Sequence, residues 1–397
     1  MNPRRFSTLR RIPRPIWVLG FVSMLMDISS EIVHSLLPMF LVTTLGAGVA
    51  TVGLIEGIAE AAAPIVKVFS GSLSDYLGNR KWLAVSGYAL GAASKPFFAI
   101  AATANIVLAA RFVDRIGKGI RGAPRDALVA DIAPPGSRGA AFGLRQSLDT
   151  IGAFTGPLIA VGLMFLWAGD YRRIFWIAVI PGALAVLLLA LGVQEPPHAA
   201  ASKGINPIRR ESLRKLSAAY WWVVAIGAVF TLARFSEAFL VLRAMQGGLK
   251  PALVPLVMVA MNIVYTLSAY PFGKLADSTS HLRLLVIGLG FLVAADLVLA
   301  QSNAWPAMLV GVCLWGLHMG MTQGLLAVMV AHAAPPELKG TAFGFFNLVS
   351  GIAMLVASTV AGVLWERHGA ATTFYAGAAF SVLAAMLIVG RGKRLHS

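Results

Sequence analysis

Twelve apolar segments, most of them 20 residues or longer, run the length of this chain and limit what it can become. They lie at roughly 16–44, 49–70, 82–103, 105–130, 140–167, 173–192, 219–243, 252–272, 282–301, 306–331, 341–365 and 372–390. A helix of about 20 apolar residues crosses the hydrocarbon core of a bilayer, so twelve crossings use roughly 240 residues. What remains of the 397 makes short loops and tails, with no room for a large soluble domain. Composition agrees: 58% of the residues are hydrophobic, 13% are charged, and the mean hydropathy is +0.77. A soluble domain carries about 25% charge. Soluble, disordered and fibrous folds are excluded. The expected fold is all-α and integral to the membrane, with twelve transmembrane helices in two pseudo-symmetric six-helix bundles.

The first segment follows Arg4, Arg5, Arg10, Arg11 and Arg14 and carries Asp27 and Glu31. It is too long for the apolar core of a signal peptide and reads as an uncleaved first span. A single cysteine, Cys313, excludes an intramolecular disulfide framework.

One long hydrophilic break, Val193 to Ser217, divides the spans six and six. The expected organisation is an N-terminal half at 1–192, a cytoplasmic linker at 193–218 and a C-terminal half at 219–397. The halves repeat each other. Ala133-Pro134-Pro135-Gly136-Ser137-Arg138-Gly139-Ala140-Ala141-Phe142-Gly143 recurs, 201 residues on, as Ala334-Pro335-Pro336-Glu337-Leu338-Lys339-Gly340-Thr341-Ala342-Phe343-Gly344. Gly71-Ser72-Leu73-Ser74-Asp75 recurs as Gly273-Lys274-Leu275-Ala276-Asp277 at an offset of 202. Parallel repeats of this kind place a transport site at the repeat interface, near the bilayer midplane.

The net charge of +16 is mainly a topology signal. With both termini cytoplasmic, the tails and even-numbered loops hold 19 Lys and Arg, whereas the opposite loops hold five. That asymmetry obeys the positive-inside rule. Nucleic acid is therefore not the expected partner. The expected setting is a bacterial inner membrane, crossed many times.

Span 4 carries seven charges: Arg111, Asp114, Arg115, Lys118, Arg121, Arg125 and Asp126. At about 100° per residue they fall within an arc of roughly 140°. Five of them lie deep enough that facing lipid would cost about 12–17 kcal/mol. The stripe must then be paired inside the bundle or line a wet, net-positive cavity that takes an anionic group. Span 1 offers the complement, with Ser23, Asp27, Ser30, Glu31 and His34 within an arc of about 100°. That face can pair with the span-4 cations, carry protons or hold a divalent metal. Arg145 with Asp149 on span 5, and Arg234 with Glu237 on span 7, are spaced for pairs within a helix. Asp296 stands alone on span 9. No nucleophile elbow, phosphate loop or zinc motif is present, so neither an enzyme nor a cofactor is expected.

Three stretches resemble the major facilitator superfamily, and the resemblance covers the whole chain. Gly71-Ser72-Leu73-Ser74-Asp75-Tyr76-Leu77-Gly78-Asn79-Arg80-Lys81 resembles that family's first motif, G-x-L-x-D-[RK]-x-G-[RK]-[RK], with Tyr76 and Asn79 at two of its basic positions. Arg111 matches the span-4 arginine associated with proton coupling. Gly152-Ala153-Phe154-Thr155-Gly156-Pro157 resembles the span-5 motif of exporters, with Ala160-Val161 in place of its last glycine pair. A bacterial subgroup has a span-4 stretch similar to Asp114-Arg115-Ile116-Gly117-Lys118-Gly119-Ile120-Arg121.

The resemblance implies a secondary transporter of a small solute, with an anion among the candidates, working by alternating access as a monomer in the lipid bilayer. Proton-coupled export is the expected mode. Uptake of an anion by symport or uniport, and export of a divalent metal, are the alternatives. Asp27, Glu31 and Arg111 are the expected proton-coupling residues. His34, Asp114, Arg115, Lys118, Arg121, Arg145, Asp149, Arg234 and Glu237 are expected in the substrate cavity. Gly71, Asp75, Gly78, Arg80, Lys81 and Asp131 are expected to form a cytoplasmic gate, with Asp75 near Asp131 or the N-terminus of span 11.

Overall fold

The computed structural model describes residues 12–134, 137–195, 213–276, 278–335 and 338–392. These residues form thirteen main helices: α1 Arg14–His34, α2 Val49–Leu77, α3 Arg80–Ile100, α4 Ala104–Ile132, α5 Arg138–Leu166, α6 Tyr171–Gly192, α7 Ala218–Leu232, α8 Ala238–Gln246, α9 Leu256–Ala276, α10 His281–Gln301, α11 Trp305–Ala333, α12 Lys339–His368 and α13 Ala370–Gly392. After α1 come a short helical turn, Leu37–Met39, and a π-helical turn, Phe40–Thr44. The sequence repeat reappears in the boundaries, since α3 and α4 recur as α10 and α11 at an offset of 201.

Among the described residues, ten segments are long and apolar enough to cross a membrane. The two expected spans that fall outside that set do so for different reasons. α4 has the length, but its eight charges, Asp131 included, depress its hydropathy. The seventh span, expected to be continuous over 219–243, is broken into α7 and α8. Arg234 and Glu237 stand in the break and not on one helical face, which corrects the intrahelical spacing read from the sequence. The break is stabilised locally. The Ser236 N–H donates to Ser358 Oγ at 3.1 Å, and Ser236 Oγ accepts from the N–H of Ala238, the first residue of α8, at 3.3 Å. Non-helical backbone at membrane depth needs such partners.

Turn chemistry sets several other boundaries. Gly78, with φ +60°, ends α2 in the left-handed region that side chains resist, and Asn79 then caps α3 through Trp82 N–H at 3.2 Å. Asp170 caps α6 through Arg173 N–H in the same way.

The chain divides into two compact units, Met1–His34 with Ala62–Pro207, and Ser35–Ala61 with Ile208–Ser397. In the first unit α1 packs on α5 and α6, and α3 packs on α4 and α6. Ile16, Leu19, Val22, Met26, Tyr88, Leu128 and Leu189 make its apolar core. The α3 and α4 backbones touch at Gly87 and Gly117, where a Cβ on Gly117 would stand 2.6 Å from the Gly87 carbonyl. Small residues let membrane helices approach this closely.

In the second unit α10 packs on α11 and α13, α9 on α11, and α7 on α12. The first half of α2 also belongs here. Gly53 lies against the Ser358 carbonyl and Gly362 of α12, and the Glu366 carboxylate accepts from the Ala50 N–H at 2.8 Å, at the N-terminus of α2.

Candidate functional site

The first unit gathers its charges between α1, α3, α4 and α5. Glycines on α5 bring α1 into position. A Cβ on Gly152 would stand 2.6 Å from the Met24 carbonyl and 3.0 Å from Asp27 Cβ, and one on Gly156 would stand 2.7 Å from Glu31 Cβ. The exporter-like glycines therefore seat the two carboxylates of α1 against α5. Asp27 is set there against Asp149, with Lys118 and Arg121 of α4 acting on it electrostatically. Asp149 is approached in turn by Arg145 at 3.7 Å and Arg125 at 3.9 Å.

A second group joins α3 to α4. Lys95 Nζ donates to Asp114 Oδ1 at 2.7 Å and to Ser30 Oγ of α1 at 3.1 Å. Arg111 Nη1 stands 3.9 Å from Asp114 Oδ2. The Lys95 and Asp114 side chains are only 1% and 3% exposed. Lys95 was missed in the sequence because it is a single charge in an otherwise apolar span; a lysine at such depth is itself a signal. Two turns beyond Asp114, the Arg121 guanidinium lies over the Tyr88 ring at 4.9 Å, and its Nη1 is buried with no hydrogen-bond partner among the described residues. Arg115 is buried and Lys118 is exposed. His34 Nδ1 lies 3.5 Å from Glu31.

Asp114 is neutralised within the protein by Lys95 and Arg111, whereas Arg121 keeps unused donor capacity beside the Asp27–Asp149 pair.

The first-motif residues lie at the α2–α3 turn. A Cβ on Gly71 would meet Ala123 of α4 at 3.4 Å. Arg80 forms an ion pair with Asp131. Glu195, which the sequence did not single out, accepts from the N–H groups of Arg80 at 2.7 Å and Lys81 at 3.1 Å. The side chain of Asp75 lies outside the described residues, and the carboxylate expected near it, Asp131, is held by Arg80. Arg234 and Glu237 belong to the second unit and are not among the residues gathered here.

A polytopic bundle of apolar helices that draws acids and bases together at membrane depth is a membrane transporter in its architecture. The model of the Major Facilitator Superfamily matches residues 19–246 and 239–395, and the chain belongs to that family. An uncharacterised MFS-type transporter of Methanocaldococcus jannaschii is 29% identical over 387 residues, covering 96% of this chain and 95% of that protein. The quinolone resistance protein NorA of Staphylococcus aureus is 23% identical over 364 residues, covering 89% and 91%. Among solved structures, a point mutant of the nucleoside transporter NupG superposes with a TM-score of 0.81 at 14% identity, over 94% of this chain and 99% of that one. A bacterial homologue of the lysosomal transporter Spinster gives 0.74 at 16% identity, over 98% and 97%. At these identities the structural likeness is one of fold.

Proposed function

We propose that the chain is a secondary active transporter that exports a small solute in exchange for protons by alternating access. The observation that carries this reading is the Asp27–Asp149 carboxyl pair set beside Lys118 and Arg121. Loss of its proton leaves two carboxylates facing two cations; gain of a proton weakens that attraction. A rearrangement of α1 against α4 and α5 that follows the proton is the coupling step, with Glu31 beside it and Arg111 tied to Asp114. The unused donor of Arg121 and the basic excess of α4 support an anionic or acceptor-rich solute. The relative named as a resistance protein supports export. The halves 1–192 and 219–397 rock about the linker 193–218, with the basic tails and even loops in the cytoplasm of a bacterial cell.

The Arg80–Asp131 pair, with Glu195 on the first turn of α3, forms the cytoplasmic latch together with Gly71, Asp75, Gly78 and Lys81.

The test is a panel of small organic anions and neutral drugs in proteoliposomes under an imposed pH gradient, with proton movement read by an internal dye. Asp27→Asn is expected to abolish uphill, proton-driven movement and to leave exchange of the solute down its own gradient partly intact. Uphill transport by Asp27→Asn at the wild-type rate removes Asp27 from the coupling.

A further inference from the structure

The repeat gives the two units the same pair of helices but different side chains where those helices begin and end. α3 and α4 recur as α10 and α11 at an offset of 201. Arg80, the first residue of α3, therefore corresponds to His281, the first residue of α10. Asp131, in the last turn of α4, corresponds to His332 in the last turn of α11. In the first unit these positions hold an ion pair, Arg80 with Asp131. In the second they hold two imidazoles, with ring centres 6.1 Å apart and ring planes inclined by 57°. His281 is half-buried and His332 is exposed.

The two arrangements differ in what they can do unaided. Opposite charges attract; two neutral imidazoles have no such attraction, and two protonated ones repel. A metal ion between the rings changes that, because each neutral imidazole offers a nitrogen lone pair that suits zinc, copper or nickel. The spacing admits one ion. With metal–nitrogen bonds of about 2.0–2.1 Å, an ion lies about 3.2 Å from each ring centre, so two rings on one ion stand about 5.2 Å apart at a tetrahedral angle and about 6.4 Å when opposed. The observed 6.1 Å falls inside that range. Turning a ring to aim its nitrogen costs little, since the outer torsion of histidine is broad.

We propose that His281 and His332 form a binding site for a divalent transition-metal ion, zinc, copper or nickel, which ties the start of α10 to the end of α11. The ion does for the second unit what the Arg80–Asp131 pair does for the first. Two protein nitrogens leave the remaining coordination positions to water, which reaches the site through the exposed His332. Both ligands lie in the second unit, whereas Asp27, Glu31 and His34 of α1 lie in the first. The ion at this site is a clamp between two helices, and the site stands whichever solute the chain carries.

The experiment uses the full chain in detergent at pH 7.5, without a polyhistidine tag, and zinc chloride as the probe. Wild type is expected to bind one more zinc ion per chain, by calorimetry, than His281→Ala or His332→Ala. That ion should raise the thermal unfolding midpoint of wild type and not of either variant, and magnesium chloride should raise none of them. His368→Ala, which removes an exposed histidine at the end of α12, should bind as wild type does. Ligation needs neutral rings, so binding at pH 5.5 should be at least tenfold weaker. The double variant His281→Arg with His332→Asp places the first unit's ion pair in the second; it is expected to stay folded and to lose the same zinc ion, which separates loss of the ligands from loss of the fold. Equal zinc binding by wild type and both single variants, a midpoint that zinc leaves unchanged, or wild-type binding by the Arg–Asp double variant each overturns the proposal.

Discussion

The Lys95–Asp114–Arg111 group makes a prediction whose sign and asymmetry both follow from its geometry. At an effective dielectric constant of about 20, unit charges 2.7 Å apart attract by about 6 kcal/mol, before the cost of taking both out of water. That cost cancels much of the attraction, so an intact buried pair contributes little net stability. Removing one partner is different, because it strands the other charge, at about 3–5 kcal/mol. Asp114→Asn strands Lys95 and also takes a carboxylate from Arg111, so it belongs at the upper end of that range. Lys95→Met leaves Asp114 with Arg111 at 3.9 Å and belongs at the lower end. The double variant removes the stranded lysine and should be more stable than Asp114→Asn alone. The assay is thermal unfolding of the purified full chain in detergent, arranged as a double-mutant cycle. Single-variant losses that add to within about 0.5 kcal/mol in the double variant refute the coupling. So does a Lys95→Met loss equal to or greater than that of Asp114→Asn.

Two further perturbations test the ends of the bundle. Gly53→Leu places a side chain against the Ser358 carbonyl and Gly362, so it should part α2 from α12 and raise thiol labelling of cysteines introduced near residue 50; unchanged labelling counts against a glycine-packed contact between these two helices. Glu195→Gln removes a negative charge from the N-terminus of α3, where such a charge contributes about 0.3–1 kcal/mol, and should lower stability by that amount in low salt with less effect in high salt; a loss independent of salt counts against an electrostatic role.

Much of the fold was legible in the sequence because its signals are local. Apolar runs of span length, the 201-residue repeat and the charged face of α4 are each properties of a stretch of chain and of the helical period. The rest required distant segments to be brought together. Lys95 and Asp114 lie on successive spans, yet nothing in either helix names the other as its partner; the contact follows from the crossing of α3 and α4 at Gly87 and Gly117. Asp149 comes to stand against Asp27 because Gly152 and Gly156 draw α1 onto α5, a contact that neither helix announces in its own sequence. The break at Arg234–Glu237 is invisible to hydropathy, since its backbone groups depend on Ser358 from a helix more than a hundred residues away. Asp296 looked alone in the sequence, and among the described residues its carboxyl has no hydrogen-bond partner; only the tertiary structure set it beside Gly377 of α13. A sequence specifies which side chains cannot face lipid; packing decides which of them meet.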